Sequence, residues 1–315
     1  MLRKCAVLVT IVAAAGLSAC NRGEPAGEAR PRVALVLKTL NSPFFIEMQR
    51  GAEEAARRLD VELVVQAAER EVDVEKQMQI IENLIQAKVN ALAVTPSGSR
   101  EIVPALVKAN QAGIPVIVVD TRLDPKAAAD AGVKTVAFVG SDNYRGGQIV
   151  GEFLVKAADG RANVAILEGI PGHDTGDSRV RGFRDAIKAT PGVKIVASQT
   201  ANWERDQGFS VFQNILQAHP ELDTVFACND MMALGAIEAI SAAGRTGRIR
   251  VLGFDAVEDA RRALEAGTMV ASVAQFPQEM GRIAVESAVK VLKGETVPAD
   301  VSVSIGLVTK ENARK

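Results

Sequence analysis

Five short apolar runs in this chain each end on a side chain with directional hydrogen-bonding capacity. VALVL is followed by Lys38, PVIVV by Asp120, TVFAC by Asn229, VLGF by Asp255 and VASVA by Gln275. A lysine ammonium only donates, an ionised aspartate only accepts, and the two amides do both. Such a balance suits a polar, uncharged ligand rich in hydroxyls, because each hydroxyl donates and accepts. Taken singly, an Asp or Asn at such a place is a strand terminator or a helix cap; five together favour a binding site. Aromatic rings fall beside them. Phe44 and Phe45 follow the first run, and Trp203, the only tryptophan, follows KIVASQ. An aromatic face packs on the C–H face of a sugar ring and leaves the hydroxyls to polar neighbours. Phe45 also belongs to a core stripe, whereas Trp203 belongs to no periodic run and is the better candidate platform.

The runs that carry these residues are part of a longer alternation. Strand-like segments at 33–37, 61–65, 91–94, 115–119, 136–139, 164–167, 193–197, 224–227, 249–254 and 270–274 are nearly all separated by stretches of helical period. The first such stretch opens with Ser42-Pro43 as N-cap and first helical residue, and Phe45, Met48, Ala52, Ala55 and Leu59 form one face. Strand–helix alternation with apolar strands predicts parallel sheets covered on both faces. Ten strands are best housed in two doubly wound, Rossmann-like α/β lobes, with a boundary near Ser141. A strand, turn and helix with Gly51 or Gly182 near a small-residue face opens each half, as in a weak internal duplication. Open parallel sheets bind ligands beyond the carboxyl ends of their strands, where the five polar residues fall.

Composition narrows the function further. With 315 residues, 48% hydrophobic and 24% charged, the chain is a soluble globular protein of about two domains. A formal charge of -1 gives no electrostatic reason to expect nucleic acid, and two histidines and three cysteines argue against a histidine-rich metal centre or a disulfide framework. Residues 1–20 have a basic start, an apolar run too short to span a bilayer, and the ending Leu17-Ser18-Ala19-Cys20, which resembles the lipobox of bacterial lipoproteins. The expectation is a signal peptide with lipidation at Cys20 and anchoring on a membrane outside the cytoplasm. Residues 21–31 (NRGEPAGEARP) then form a flexible tether with a reach of roughly 18 Å. Loss of Cys5 with the signal and capping of Cys20 would leave Cys228 alone, without a disulfide.

LVLKTLNSPFF, FVGSDNYRGG, VASQTANWERDQG, FACNDMMALGA, VLGFDAVEDA and VASVAQFP, in this order over about residues 32–309, resemble the ribose/allose-binding proteins, the type I periplasmic sugar receptors of ABC transporters. The resemblance implies two lobes joined by three hinge crossings, 32–141 plus 276–304 and 142–275 plus 305–315, with a monosaccharide between them. It implies ligand contacts at Lys38, Ser42, Phe44, Phe45, Asp120, Thr121, Arg179, Trp203, Asn229, Asp255 and Gln275. It implies no cofactor and no catalysis, with an ABC permease as partner and a monomeric chain. Ribose-specific relatives have Ser at the Lys38 position and Arg at the Thr121 position; allose-binding relatives share LKTL and the tryptophan but carry Glu at Thr121. The longer lysine favours a hexose, while Arg122 as a substitute for the missing arginine leaves a pentose open.

Other readings are weaker. His173, Asp174 and Asp177 in PGHDTGD fit a helix-capping loop at the cleft rim better than a metal or acid–base site. Gly146-Gly147 lacks the spacing of a phosphate-binding loop, and Met231-Met232 is helix packing. Asp120 and Asp255 as a glycosidase pair would make the protein an enzyme, but the resemblance is to binders. A repressor of the LacI type shares the lobe pair, yet an export signal stands where a DNA-binding headpiece would be. Presentation of the bound ligand to a chemoreceptor or sensor kinase uses the same cleft and is the alternative to transport.

Overall fold

The computed structural model describes residues 30–314; the signal peptide, Cys20 and nearly all of the tether lie outside them. Residues from Pro31 onward form one compact unit. Strands β1 (Arg32–Thr39), β2 (Glu62–Ala68), β3 (Ala91–Val94), β4 (Val116–Val119), β5 (Ala137–Ser141) and β11 (Asp300–Val303) make one six-stranded sheet in the order β11-β5-β4-β3-β1-β2. Strands β6 (Ala162–Glu168), β7 (Val193–Thr200), β8 (Thr224–Ala227), β9 (Arg250–Asp255), β10 (Ala271–Ala274) and β12 (Gly306–Thr309) make the other, in the order β12-β10-β9-β8-β6-β7. The two orders are the same, strand for strand. The chain therefore passes between sheets after β5, after β10 and between β11 and β12.

All ten expected strands are present within a few residues. The inner strands are buried because helices cover both faces, β3, β4, β8 and β10 at every residue, whereas the edge strands β2 and β7 are only partly buried. The first sheet is wholly parallel, and the second departs from the expectation at its edge, where β12 runs antiparallel to β10. Neither β11 nor β12 was expected as a strand; β11 is the short, polar DVSV, exposed at alternate positions.

Helix contacts repeat the duplication. Helix α1 (Pro43–Leu59) packs on α10 (Pro277–Leu292), and α5 (Asn143–Ala157) packs on α6 (Asp174–Ile187). In each pair the backbones approach too closely for any side chain: a Cβ on Gly51 would lie 1.8 Å from the Gln278 carbonyl oxygen, and one on Gly182 would lie 2.0 Å from that of Tyr144. The two glycines noted in the sequence thus serve the same contact in both halves.

Candidate functional site

The carboxyl ends of the two sheets face one narrow cavity of about 30 Å³. Ten of the eleven residues implied by the resemblance line it: Lys38, Ser42, Phe44, Phe45, Asp120, Arg179, Trp203, Asn229, Asp255 and Gln275. Thr121 does not. Its fully buried hydroxyl donates to Asp120 Oδ2 at 2.9 Å, so it supports the carboxylate from behind. A wider groove of about 520 Å³ opens beside the cavity and shares Phe44, Asp255 and Gln275, but its other walls include Glu47, Glu54, Glu258 and the exposed Phe276. The convergent buried polar groups belong to the smaller space.

Several of these residues have unusual backbones. Asp120 (φ 65°), Trp203 (φ 68°) and Asp255 (φ 110°) all have positive φ, a conformation costly for residues with side chains. Three such residues around one cavity mark a place where side-chain direction is fixed against local preference.

On the wall from the first sheet, Lys38 Nζ lies 3.4 Å from Asp120 Oδ2 and 3.6 Å from Glu71 Oε2, and 5.7 Å from the centroid of the Phe45 ring. Phe44 and Phe45 meet edge to face at 5.2 Å. Both are buried; Phe45 is a core residue and a cavity wall at once. Ser42 occupies the N-cap of α1 without a side-chain capping bond, so its buried hydroxyl is available to the cavity.

The wall from the second sheet is held by hydrogen bonds. Arg179 donates from Nε to Asn143 Oδ1 (2.9 Å) and from Nη1 to the Cys228 carbonyl (2.6 Å); its guanidinium stacks 3.7 Å from the Phe254 ring and lies 3.7 Å from Asp255 Oδ1. Gln275 donates from Nε2 to Asp255 Oδ1 at 2.7 Å, and its buried Oε1 has no protein partner among the described residues. Asn229 caps α8 (Asp230–Ala242) by accepting from the Met232 amide, and its Nδ2 donates to the Trp203 carbonyl. The cap reading and the site reading of Asn229 therefore both hold geometrically. Trp203 is pinned flat by Gly169, where a Cβ would lie 1.9 Å from the indole.

Burial dominates the electrostatics. The Asp255 carboxyl is raised to about 6 by desolvation, with Arg179 pulling the other way, and Glu71 is raised to about 7 by desolvation against the attraction of Lys38. The Cys228 thiol is pushed up to about 12 by burial, which makes it unreactive.

Glu71 and Thr175 line the cavity and were missed by the sequence reading. Glu71 stands in EREVD, where a run of charge looks solvated. Thr175 lies in HDTGD, and its buried hydroxyl has no protein partner among the described residues.

His173 takes the N-cap position of α6, but its side chain makes no capping bond. The ring instead bridges the cleft. Trp203 Nε1 donates to Nδ1 at 3.4 Å, which leaves Nε2 as the donor to the Ser97 carbonyl at 2.7 Å. Burial and the Lys38 charge lower its pKa to about 3, so the ring stays neutral. The Asp174 amide donates to Ser99 Oγ, and Arg70 pairs with Glu204 across the same rim. Arg122, considered as a stand-in for an arginine at Thr121, is half-exposed, pairs with Asp300 at 2.7 Å, lies over Phe138 and lines a separate polar cavity.

Comparison with known proteins agrees with this geometry. The chain is 37% identical over 296 residues to the D-ribose/D-allose-binding protein of Pseudomonas aeruginosa, covering 91% of this chain and 92% of that one. It is 38% identical to the ribose import binding protein of Escherichia coli, covering 96% and 98%. A crystal structure of an ABC transporter periplasmic solute binding protein from Actinobacillus succinogenes with bound D-allose superposes with a TM-score of 0.84 at 42% identity, covering 90% of this chain and 99% of that one. The model of the periplasmic binding protein domain matches residues 33–296. With a binder's cavity between two α/β lobes and this match over most of its length, the chain belongs to the periplasmic binding protein domain family, whose members bind their ligands and are not enzymes.

Proposed function

We propose that this protein is the substrate-binding component of an ABC transporter, capturing a monosaccharide of the ribose/allose type outside the cytoplasmic membrane and delivering it to the permease. The observation that carries the reading is the lining of the cavity: charged and amide side chains from both sheets converge with Phe44, Phe45 and Trp203 on one small space. Hydrogen bonds involving charged groups contribute about 1.5–3 kcal/mol each, so three or four reach the ~8 kcal/mol of micromolar binding. Lys38 favours a hexose such as allose over a pentose, and Arg122, engaged elsewhere, supplies no reason to prefer ribose.

Walls from both sheets mean that ligand favours closure. The bodies that close are 32–141 plus 276–304 and 142–275 plus 305–315, hinged at the three crossings, and the permease reads the closed form. Anchoring through lipid on Cys20 keeps the receptor at the membrane; metabolic labelling with a radioactive fatty acid, lost in Cys20→Ala, checks it. Calorimetry with a panel of pentoses, hexoses and polyols, followed in parallel by Trp203 fluorescence, tests the central reading. Allose is expected to bind more tightly than ribose; no heat and no fluorescence change with any sugar would remove sugar binding.

A further inference from the structure

Between β2 and the helix that begins at Val74, the chain makes a turn in which Glu69, Arg70 and Val72 are exposed and Glu71 is buried, at 7% exposure. The turn is built to hold that orientation. The Glu69 carbonyl accepts from Thr39 Oγ1 and Asn41 Nδ2, each at 2.8 Å, and the Arg70 amide donates to Asp73 Oδ2 at 3.0 Å. Arg70 itself reaches Glu204 across the cleft. A glutamate in a surface turn avoids the cost of burial by pointing outward; this one is aimed into the cavity.

The carboxylates around the cavity differ in what the protein gives them. Asp120 receives the Thr121 hydroxyl and Asp255 receives the Gln275 amide. Among the described residues Glu71 receives no hydrogen bond, and its one ion pair is to Lys38 at 3.6 Å. Lys38 is 3% exposed and has three donors, yet both its ion pairs are longer than the 2.7–2.9 Å of a charge-assisted hydrogen bond. An unspent acceptor thus stands beside an unspent donor in a wall where the other charged groups are satisfied. A hydroxyl placed there accepts from Lys38 and donates to Glu71; a C–H there would leave both buried groups without a hydrogen bond, and that penalty gives discrimination.

Building on the sugar-binding reading above, we propose that Glu71 is a specificity-determining residue which, with Lys38, selects for a hydroxyl at one position of the bound sugar. The charged and titratable groups facing Glu71 are Lys38 from β1, Asp120 beyond β4, Asp255 at the end of β9 and Glu204 before the helix that begins at Arg205. Lys38 also faces His173, and Arg179 sits beside Asp255. Because Glu71 accepts in this arrangement, the sugar binds the ionised form, and affinity rises with pH through the region near 7. Asp255 titrates nearby, so the informative quantity is the difference between wild type and Glu71→Gln.

The experiment is calorimetric titration of wild type, Glu71→Gln and Lys38→Met with D-allose, D-ribose and the monodeoxy derivatives of whichever binds more tightly, from pH 5.5 to 8.5. For Glu71→Gln the parent sugar is expected to lose at least tenfold in affinity at pH 8, and the gain in affinity with pH to shrink. One deoxy sugar, already weakened at least tenfold in wild type, is expected to lose no more than twofold further in either variant, while the other deoxy sugars lose as the parent does. Equal losses for every deoxy sugar, or parent affinity within twofold of wild type, would overturn the proposal. Should either variant fail to fold by circular dichroism, the wild-type pH series decides: the parent must gain more affinity from pH 5.5 to 8 than that one deoxy sugar, and parallel curves refute it. Wild type binding no sugar removes the underlying reading; wild type binding sugar with Glu71→Gln unchanged removes this inference alone.

Discussion

The two walls of the cavity solve one problem in different ways. On the second-sheet wall, Arg179 is fixed by short hydrogen bonds to Asn143 and Cys228 and stacked on Phe254. On the first-sheet wall, Lys38 sits between Asp120 and Glu71 at distances that no strong hydrogen bond would have. A planar guanidinium with five donors can be bound from behind and still present an edge, whereas an ammonium on a flexible stem is a movable point charge. One wall is therefore rigid before ligand arrives, and the other keeps its hydrogen-bonding capacity for the ligand. Binding energy is expected to come mainly from the rigid wall and choice of sugar mainly from the loose one.

The strongest way to break that comparison is Arg179→Met. It leaves the Asn143 and Cys228 oxygens and the Asp255 carboxylate without their buried cation, which typically costs about 3–5 kcal/mol. Thermal unfolding should drop accordingly, and affinity for the best sugar should fall more than a hundredfold. A variant of near-normal stability and affinity would show that the second wall is not the rigid one. Next in size are Asp120→Ala and Asp255→Ala, one from each wall, each expected to weaken binding at least tenfold, about 1.4 kcal/mol, with the fold intact by circular dichroism. Near-normal affinity in both would mean that the cleft is wrongly assigned.

Glu71 sharpens the comparison through stability. Its folded pKa near 7 lies above the ordinary 4.5, so between these values the folded protein holds a proton that the unfolded chain has released. Its contribution to stability is full below about 4.5 and is lost as pH rises through 7. Glu71→Gln, shaped like the protonated form, should therefore gain about 3 kcal/mol over wild type at pH 8 and nothing at pH 4, even while sugar affinity falls. A stability loss at pH 8 would mean that the Lys38 pair outweighs the desolvation. His173 has the opposite sign. With a folded pKa near 3 against 6.5, the unfolded chain binds the extra proton between these values, and stability falls as pH drops from 6.5. Wild type should lose about 3 kcal/mol more than His173→Gln between pH 7 and pH 4 in thermal melts; equal losses would show that burial does not hold the ring neutral.

Much of this arrangement was legible in the sequence because it follows from period and position. Strands covered on both faces must be continuous apolar runs, and the polar residue ending such a run must lie at the mouth of the sheet, which is how Asp120, Asn229, Asp255 and Gln275 were found without any fold in hand. Arg179 needed the resemblance, since SRVRGF looks like a charged helix surface. The illegible parts are those where tertiary contacts overrule local composition. Strand β11 is half-exposed and polar, so no run marks it. Glu71 is buried within a charged turn by hydrogen bonds to its neighbours' backbone, which no periodicity reveals. His173 stands at a cap position yet spends its ring on the opposite side of the cleft.

Thr121 gives the smallest effect and separates two sources of inference. Position-by-position likeness to sugar receptors makes it a ligand contact; the geometry puts its hydroxyl on Asp120 and its side chain outside the cavity. Thr121→Val removes one hydrogen bond to a buried carboxylate that still has Lys38 beside it, so stability should fall by about 1 kcal/mol. Sugar affinity should change less than threefold, because Asp120 keeps its place through its own backbone conformation. Calorimetry on this variant beside Asp120→Ala decides the matter. If the two lose equally, Thr121 touches the sugar and the first wall is more rigid than Lys38 alone suggests; if only Asp120→Ala loses, that wall meets its ligand through the charged groups.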